Sequence, residues 1–538
     1  MQGVTSNKYF FAVMSVTGGV ISGLAWNSWC SGLVLLFSFV PFLIIENQIF
    51  KNPQKFRSVS YFIYLLPGFF IFNIMTLGWV RVASITAAIC IVAGLAFLMS
   101  FVLWLAHIIR LKAGNLTGFI AFITLWLTFE YVSLNTVYLS PWVNLGNGLS
   151  KDIVFIQWYD ITGVAGGTLW ILSSNLLLSL SLVNSSGNKG RNKVFLMIWL
   201  FVIIIPSALS LIRYHTVKPS ASQISEVVII QPNSDPYTEK FTVPFDIQLG
   251  KVIEMAEKNV SQNTDWVVTP ETTVDDPVDE EHLYENKYIR MMKDFVRAHP
   301  GICVISGLVS SRINYISSKA QSGTTDISDS SAFSVEHFNS AFKIDTGSVI
   351  GIYHKSKLVA GVEMEFFAGL QYLLNRILPE FGSTNWGYGV QKERTCFEHP
   401  RTKQKIAPVI CYESVFGNYV AEYVRKGAEA LFIITNDGWW KNTGGYRQHL
   451  SYASLRAIET RRPVVRAANT GISCIIDIRG KRIQESGWWT ESVIKGEIYP
   501  EKKITPYVRF GDFLMRISAV LSIFIIILAF IAIPLRKK

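Results

Sequence analysis

Of the 538 residues, half are hydrophobic and 17% are charged, and the formal net charge is +11. So little charge excludes an ordinary soluble protein, and the length exceeds one typical domain. The basic residues do not describe a nucleic-acid surface, because many sit in short loops between apolar runs, where they act as topology signals.

Those runs fall at about 9–26, 31–46, 58–79, 84–109, 117–138, 161–183 and 195–213, with a last one at about 514–534. Most meet the requirement of about 20 residues for a spanning helix. The second is short, and Gly and Pro interrupt several. A polytopic α-helical membrane domain of about eight transmembrane helices is predicted. Only Lys8 precedes the first run as a basic residue and no small-x-small cleavage site follows, so the run reads as an uncleaved span. Lys51, Lys55, Arg57, Arg110, Lys112, Lys189, Arg191, Lys193 and the final Arg536-Lys-Lys538 fall in alternate loops, whereas the other loops carry little beyond Arg81 and Lys151. The positive-inside rule places both termini in the cytoplasm. Seven spans then put the large segment that follows on the far side, which in a Gram-negative cell is the periplasm. Glu130, inside the fifth run, costs about 2.5–3.5 kcal/mol on insertion scales. It either faces the protein interior or is hydrated near a helix end.

The predicted organisation is a membrane domain at 1–213 with seven helices, a catalytic domain at 214–512, and a C-terminal helix and tail at 513–538. Within the second segment, short Val- and Ile-rich runs at 226–231, 265–269, 302–306, 406–411 and 431–435 read as buried strands. Helical patterns at 245–260, 281–298 and 445–461 intervene, so an α/β layer fold is expected. Residues 311–337, rich in Ser, Asp and Thr, read as an exposed insertion.

Three residues in this segment suit acyl transfer. Cys411 ends a Val-Ile strand, where a sharp turn would expose a rigidly held thiol. Taken alone it reads as well as a buried core cysteine. Glu271 follows Pro270 at the end of a second strand, at the rim where α/β folds bind ligands. Its role would be general base, although a lone carboxylate is as readily a helix cap or a solvated group. Lys355 and Lys357 lie two apart and share a face if extended. One would stabilise an oxyanion, and periodicity does not choose between them. The six cysteines (30, 90, 303, 396, 411 and 474) form no close pair, so neither a zinc motif nor a disulfide framework is expected.

Glu, Lys and Cys in this order and with these flanks resemble the nitrilase or carbon–nitrogen hydrolase superfamily. The matching pieces include Thr269-Pro-Glu271, Tyr353-His-Lys355, Val409-Ile-Cys-Tyr-Glu413, Thr435-Asn-Asp-Gly-Trp439, Arg456-Ala-Ile-Glu-Thr-Arg-Arg-Pro463 and Arg466-Ala-Ala-Asn-Thr-Gly471. With seven spans before and one after, the chain is similar to the apolipoprotein N-acyltransferase family of Gram-negative inner membranes. That resemblance implies a four-layer αββα nitrilase-like sandwich on an eight-helix base, and it selects Lys355 over Lys357. It implies ping-pong transfer of an acyl chain from a phospholipid to the α-amino group of a diacylglyceryl-cysteine apolipoprotein. Cys411 would be nucleophile, Glu271 general base and Lys355 oxyanion stabiliser, with Glu363, Tyr412 and Glu413 supporting. It implies no metal or organic cofactor. The family's usual sequence after the lysine is replaced by Lys357-Leu-Val-Ala-Gly-Val-Glu363, and a substrate-side Trp of the family has only Phe241 nearby.

Some features fit a lipid substrate. Residues 364–382 are too short and polar to span. They read either as an interfacial lid bearing Phe366 and Phe367 or as a helix packed on the core. Trp439 and Trp440 follow a strand end and are candidates for an acyl pocket. The competing reading is a membrane-tethered amidase or nitrilase that resolves its thioester with water. A third is a transporter or scaffold, against which the intact trio argues. Nothing in the sequence demands more than a monomer.

Overall fold

The computed structural model describes residues 8–532 apart from 138, 184–188, 220–223, 241, 316–332, 348, 360–361 and 364–386. Phe241, Phe366, Phe367 and the expected lid therefore lie outside the described residues.

Among these, seven helices are long and apolar enough to cross a membrane: Gly32–Lys51, Val59–Val82, Ile85–Ala113, Asn115–Asn135, Tyr159–Leu182, Gly190–Thr216 and Phe513–Ile531. The expected first span is a shorter helix of 17 residues, Lys8–Leu24. It lies against Val59–Leu77 through small residues: a Cβ on Gly19 would come within 2.1 Å of the Gly68 carbonyl oxygen, and Gly68 N donates to Ser15 Oγ at 3.0 Å. Such close backbone approach is how helices associate where apolar burial gives no preference for protein over lipid. The helix Lys189–Thr216 leaves Phe201, Ile204, Ile205 and Leu209 exposed, as lipid contact allows.

Between Asn135 and Tyr159 the chain runs through buried 3-10 turns at Pro141–Val143 and Leu145–Leu149. Glu130 organises them. Its Oε1 accepts from Trp126 Nε1 (3.0 Å) and Leu145 N (2.7 Å), and its Oε2 accepts from Thr168 Oγ1 (2.7 Å). Of the two readings left open by the sequence, the interior one holds.

The α/β part has two sheets. One runs β13-β1-β2-β4-β5-β6, with β3 also paired to β4; the other runs β12-β11-β10-β9-β8-β7. The first contains β1 (Ser225–Gln231), β2 (Thr264–Val268), β3 (Val274–Asp279), β4 (Cys303–Tyr315), β5 (Phe333–Ile344), β6 (Gly351–His354) and β13 (Ser492–Ile498). The second contains β7 (Phe397–Glu398), β8 (Lys405–Ile410), β9 (Ala430–Thr435), β10 (Val464–Ala468), β11 (Cys474–Ile476) and β12 (Arg482–Glu485). The period of two along β1 creates the layers. Val227 and Ile229 face the second sheet and join its core. Val228 and Ile230 face the helices Phe245–Glu257 and Lys287–Ala298. Trp266 meets Phe432 edge-on across the sheets at 5.3 Å. The helices Gly417–Arg425 and Gly444–Thr460 cover the second sheet, completing the αββα sandwich.

One expectation is corrected. Residues 311–315 and 333–337, read as part of an exposed insertion, continue a long hairpin in which Ser311 pairs with His337 and Tyr315 with Phe333. Ser and Asn occupy strand positions because partners across the ladder satisfy the backbone whatever the side-chain polarity.

Candidate active site

Three strand ends converge. Glu271 follows β2 after Thr269-Pro270, Lys355 follows β6 directly, and Cys411 follows β8 as the first residue of a 3-10 turn, Cys411–Val415. Cys411 has φ +48° and Thr272, beside Glu271, has φ +46°. For residues with a Cβ this is left-handed backbone costing about 1–3 kcal/mol, held only where the surroundings over-determine it.

The three side chains form one buried cluster. Lys355 Nζ is 2.9 Å from Glu271 Oε1 and 2.8 Å from Glu363 Oε1. Asn339, on β5, donates through Nδ2 to the same two oxygens at 2.8 and 2.9 Å. Asn436 N donates to Glu271 Oε2 at 3.1 Å, and Val359 N donates to Glu363 Oε2 at 2.8 Å. Lys355 is 1% exposed. Lys357 points elsewhere, over the Phe416 ring at 4.8 Å.

The charges follow from this packing. Burial pushes the Glu271 carboxyl up, but the Lys355 ammonium and hydrogen bonds from Lys355, Asn339 and the Cys411 thiol outweigh it, and the pKa falls below the ordinary carboxylate value. Burial would lower Lys355, yet Glu271 and Glu363 hold it well above the usual lysine range. Burial, reinforced by Glu271, pushes the Cys411 thiol well up against the pull of Lys355. At neutral pH the cluster rests as thiol, carboxylate and ammonium, the state in which a base is ready to take a nucleophile's proton.

Glu413 ties the nucleophile turn to the lysine segment. Its Oε1 accepts from Tyr353 Oη (2.6 Å), Tyr419 Oη (2.5 Å) and Ser356 N (2.7 Å), and its Oε2 accepts from Ile410 N (2.9 Å). Tyr412 packs edge-on against Phe416 at 5.2 Å.

Residues 229–503 match the carbon–nitrogen hydrolase family, and residues 18–177 match the apolipoprotein N-acyltransferase N-terminal domain. The first match covers about half of the chain. The chain belongs to the carbon–nitrogen hydrolase family. With the matched N-terminal domain and its relatives, it is an acyltransferase of that superfamily, and its apolar helices make it a membrane protein. Three curated apolipoprotein N-acyltransferases resemble it along more than 90% of their own length. That of Chlorobaculum tepidum is 25% identical over 94% of this chain and 93% of its own. That of Geobacter metallireducens is 26% identical over 93% and 91%, and that of Haemophilus influenzae 24% over 99% and 97%. Among solved structures, a Saccharomyces cerevisiae member of branch 10 of the nitrilase superfamily covers 53% of this chain and 93% of its own, with 16% identity and a TM-score of 0.37. An amidase from Nesterenkonia AN1 covers 56% and 99%, with 14% identity and a TM-score of 0.38.

In this carbon–nitrogen hydrolase the site abuts the membrane base. Trp440 lies 5.0 Å from Trp79 and 5.9 Å from Trp142, both from the base. Trp439 is 5.5 Å from Tyr237 and more open. The helix Gly444–Thr460 forms the seat: Gln448 Oε1 accepts from Trp142 Nε1 (2.6 Å) and Trp79 Nε1 (3.2 Å), and Tyr452 Oη donates to the Trp142 carbonyl at 2.8 Å.

Sequence reasoning did not single out Asn339, which alternation along a strand marks only as polar. It also missed a buried group behind the nucleophile. Asp437 Oδ1 lies 3.0 Å from His449 Nδ1 and accepts from Thr435 Oγ1 at 2.9 Å, and its Oδ2 accepts from Arg466 Nη2 at 2.5 Å. Thr435 Oγ1 also lies 3.3 Å from Cys411 Sγ. The quoted pieces Thr435–Trp439 and Arg466–Gly471 carried Thr435, Asp437 and Arg466 without showing that they meet.

Proposed function

We propose that the chain transfers an acyl chain from a phospholipid to the α-amino group of an apolipoprotein's N-terminal diacylglyceryl-cysteine, through a thioester on Cys411. The observation that carries the reading is the contact of a buried thiol, carboxylate and ammonium in a catalytic unit seated on membrane helices.

In the first half-reaction Cys411 Sγ attacks the ester carbonyl carbon while Glu271 takes the thiol proton. The oxyanion forms against Lys355 Nζ, already charged and positioned, so little reorganisation accompanies the charge. Collapse expels the lysophospholipid alkoxide, which takes the proton from Glu271 and leaves the thioester. In the second, the acceptor amine attacks the thioester carbonyl, Glu271 takes an amine proton, and the proton returns to the departing Cys411 sulfur. Glu363 accepts a second hydrogen bond from Lys355 beside Glu271, and Glu413 fixes the turn. The basic loops support a Gram-negative inner-membrane orientation with residues 214–512 in the periplasm and both ends of the chain cytoplasmic. Residues 1–213 and 513–538 then form the membrane part of a protein that acts as a monomer.

Intact mass spectrometry after incubation with phospholipid alone tests this. Wild type is expected to gain a hydroxylamine-labile acyl adduct that moves to an added diacylglyceryl-cysteine peptide. Cys411→Ser should gain no thioester. Release of fatty acid without transfer to the peptide would instead mean a hydrolase, and no adduct in folded protein would sink the proposed donor.

A further inference from the structure

The strained turn that presents the thiol is gripped from two sides. Glu413 secures one side by accepting from Ile410 N, Tyr353, Ser356 and Tyr419. The other is the Cys411 carbonyl oxygen, which takes a hydrogen bond from Ser414 Oγ at 2.7 Å and lies 3.1 Å from His449 Nε2. Nε2 also lies 2.9 Å from Ser414 Oγ; with the single hydroxyl hydrogen of Ser414 given to the carbonyl, both oxygens face Nε2 as acceptors, so Nε2 carries a hydrogen shared between them. Ser414 belongs to the same turn, whereas His449 belongs to the helix Gly444–Thr460. Its neighbour Gln448 and Tyr452, one turn on, bind the membrane base. His449 itself is fully buried, with Asp437 on Nδ1 and the rings of Trp142 and Trp440 at 5.9 and 5.4 Å.

The geometry points to His449 as a positioning residue. With Ser414, it holds the Cys411 carbonyl so that the left-handed turn persists and the thiol stays aimed at Glu271, and it links that turn to the helix seated on the membrane domain. The role in acyl transfer rests on the reading above; the effect on thiol placement does not. A peptide left with an unsatisfied carbonyl can relax toward ordinary backbone, carrying Sγ away from its base. Such a loss slows the first chemical step and leaves lipid binding unchanged.

The test uses the full chain in detergent. Two rates are measured: alkylation of Cys411 by iodoacetamide, and single-turnover formation of the acyl-enzyme. His449→Gln keeps an N–H near the Nε2 position, and His449→Asn keeps one only near Nδ1. Losing a buried hydrogen bond is commonly worth about tenfold. His449→Asn is therefore expected to slow both rates about tenfold with KM for lipid little changed, while His449→Gln recovers most of the loss at equal melting temperature. Ser414→Ala, a smaller change, should also slow alkylation, and it serves if the His449 variants do not fold. Wild-type alkylation in His449→Asn or in Ser414→Ala overturns the inference. So does equal slowing in His449→Asn and His449→Gln with a matching fall in melting temperature. Alkylation that follows the expected order, in a protein that forms no acyl-enzyme, would refute the acyl-transfer reading and leave the positioning role standing.

Discussion

Replacing Lys355 with Met removes the charge while keeping the length of the side chain, and the structure sets the consequence. Nζ sits 2.9 Å from Glu271 Oε1 and 2.8 Å from Glu363 Oε1 and is itself buried. Without it, the buried Glu271 and the partly buried Glu363 face each other across Asn339. Burial, the largest influence on Glu271, is then opposed by the hydrogen bonds from Asn339 and the Cys411 thiol but no longer by an ammonium, and the like charge of Glu363 adds to it. The folded pKa of Glu271 lies below its ordinary value in wild type. Wild type therefore keeps its charged base above the ordinary carboxylate range and loses it only as pH falls through the lowered value. In the variant the pKa rises, so the base is lost at a higher pH. The missing oxyanion donor alone costs about 10²–10³ in rate, or about 3–4 kcal/mol. Breaking the buried pair costs stability by about 3–5 kcal/mol. Single-turnover acylation followed from neutral to acidic pH should show both the lower plateau and an acid limb displaced upward. Lys355→Arg should not rescue it, because the wider guanidinium does not fit a site built around one ammonium. An acid limb that stays in place, with a plateau lowered less than about tenfold, would refute the assignment of Lys355 and the electrostatic account of Glu271 together.

Glu413→Gln should destabilise the protein by about 1.5–3 kcal/mol, the worth of a hydrogen bond to a charged group. Three donors converge on Oε1, so the new NH₂ must face Ile410 N, donor against donor; chemical denaturation and the alkylation rate of Cys411 report it, and no change in either would contradict the bridging role. Glu130→Gln should be nearly silent, because the amide oxygen can keep Trp126 and Leu145 while its NH₂ donates to the Thr168 hydroxyl. Glu130→Leu should cost about 1–3 kcal/mol by orphaning those donors; normal stability with lost acyl transfer in Glu130→Gln would mean a functional carboxylate instead.

Glu271 and Cys411 were legible because each follows a Val- or Ile-rich strand, a pattern that local sequence carries, whereas Lys355 follows Gly-Ile-Tyr-His, which has no such run. The α/β layer class followed from the alternation of such strands with helices, and its αββα arrangement from the resemblance. What sequence did not carry was contact between distant polar residues. Asn339 sits between Phe338 and Ser340 on β5 and reads as an ordinary polar strand position, yet it spans the two carboxylates. Asp437, His449 and Arg466 lie on a turn, a helix and a strand, and no periodicity joins them. The loop after Asn135 has no period either, since its 3-10 turns are fixed by Glu130 and by Tyr159, which donates to the Gly146 carbonyl at 2.9 Å. Lys355 was separated from Lys357 by resemblance alone; in the structure β6 ends at His354, and the chain then turns Lys357 onto Phe416.

The contacts between the catalytic sandwich and its membrane base include several buried polar ones, and these bear on how a substrate of the proposed kind would reach the thiol. Arg461 binds Gln157 Oε1 at 2.7 Å, the Gln157 carbonyl at 2.5 Å and Asp160 Oδ2 at 3.0 Å. Glu459 Oε1 accepts from Val164 N at 3.1 Å, just after Gly163 kinks its helix at φ +62°. A Cβ at Gly163 would strike the Tyr507 ring at 2.3 Å, so the kink and the docking of that ring depend on the same glycine. Buried polar contacts of this kind tolerate little displacement, because each group exposed by sliding loses its partner without gaining water. The sandwich is therefore held at one height and one rotation over the helices, and the thiol cannot be swung down to the bilayer on a tether. If the donor is the proposed phospholipid, its ester would have to rise to Cys411, and Trp79, Trp142 and Trp440 supply an aromatic surface where the base and the sandwich meet.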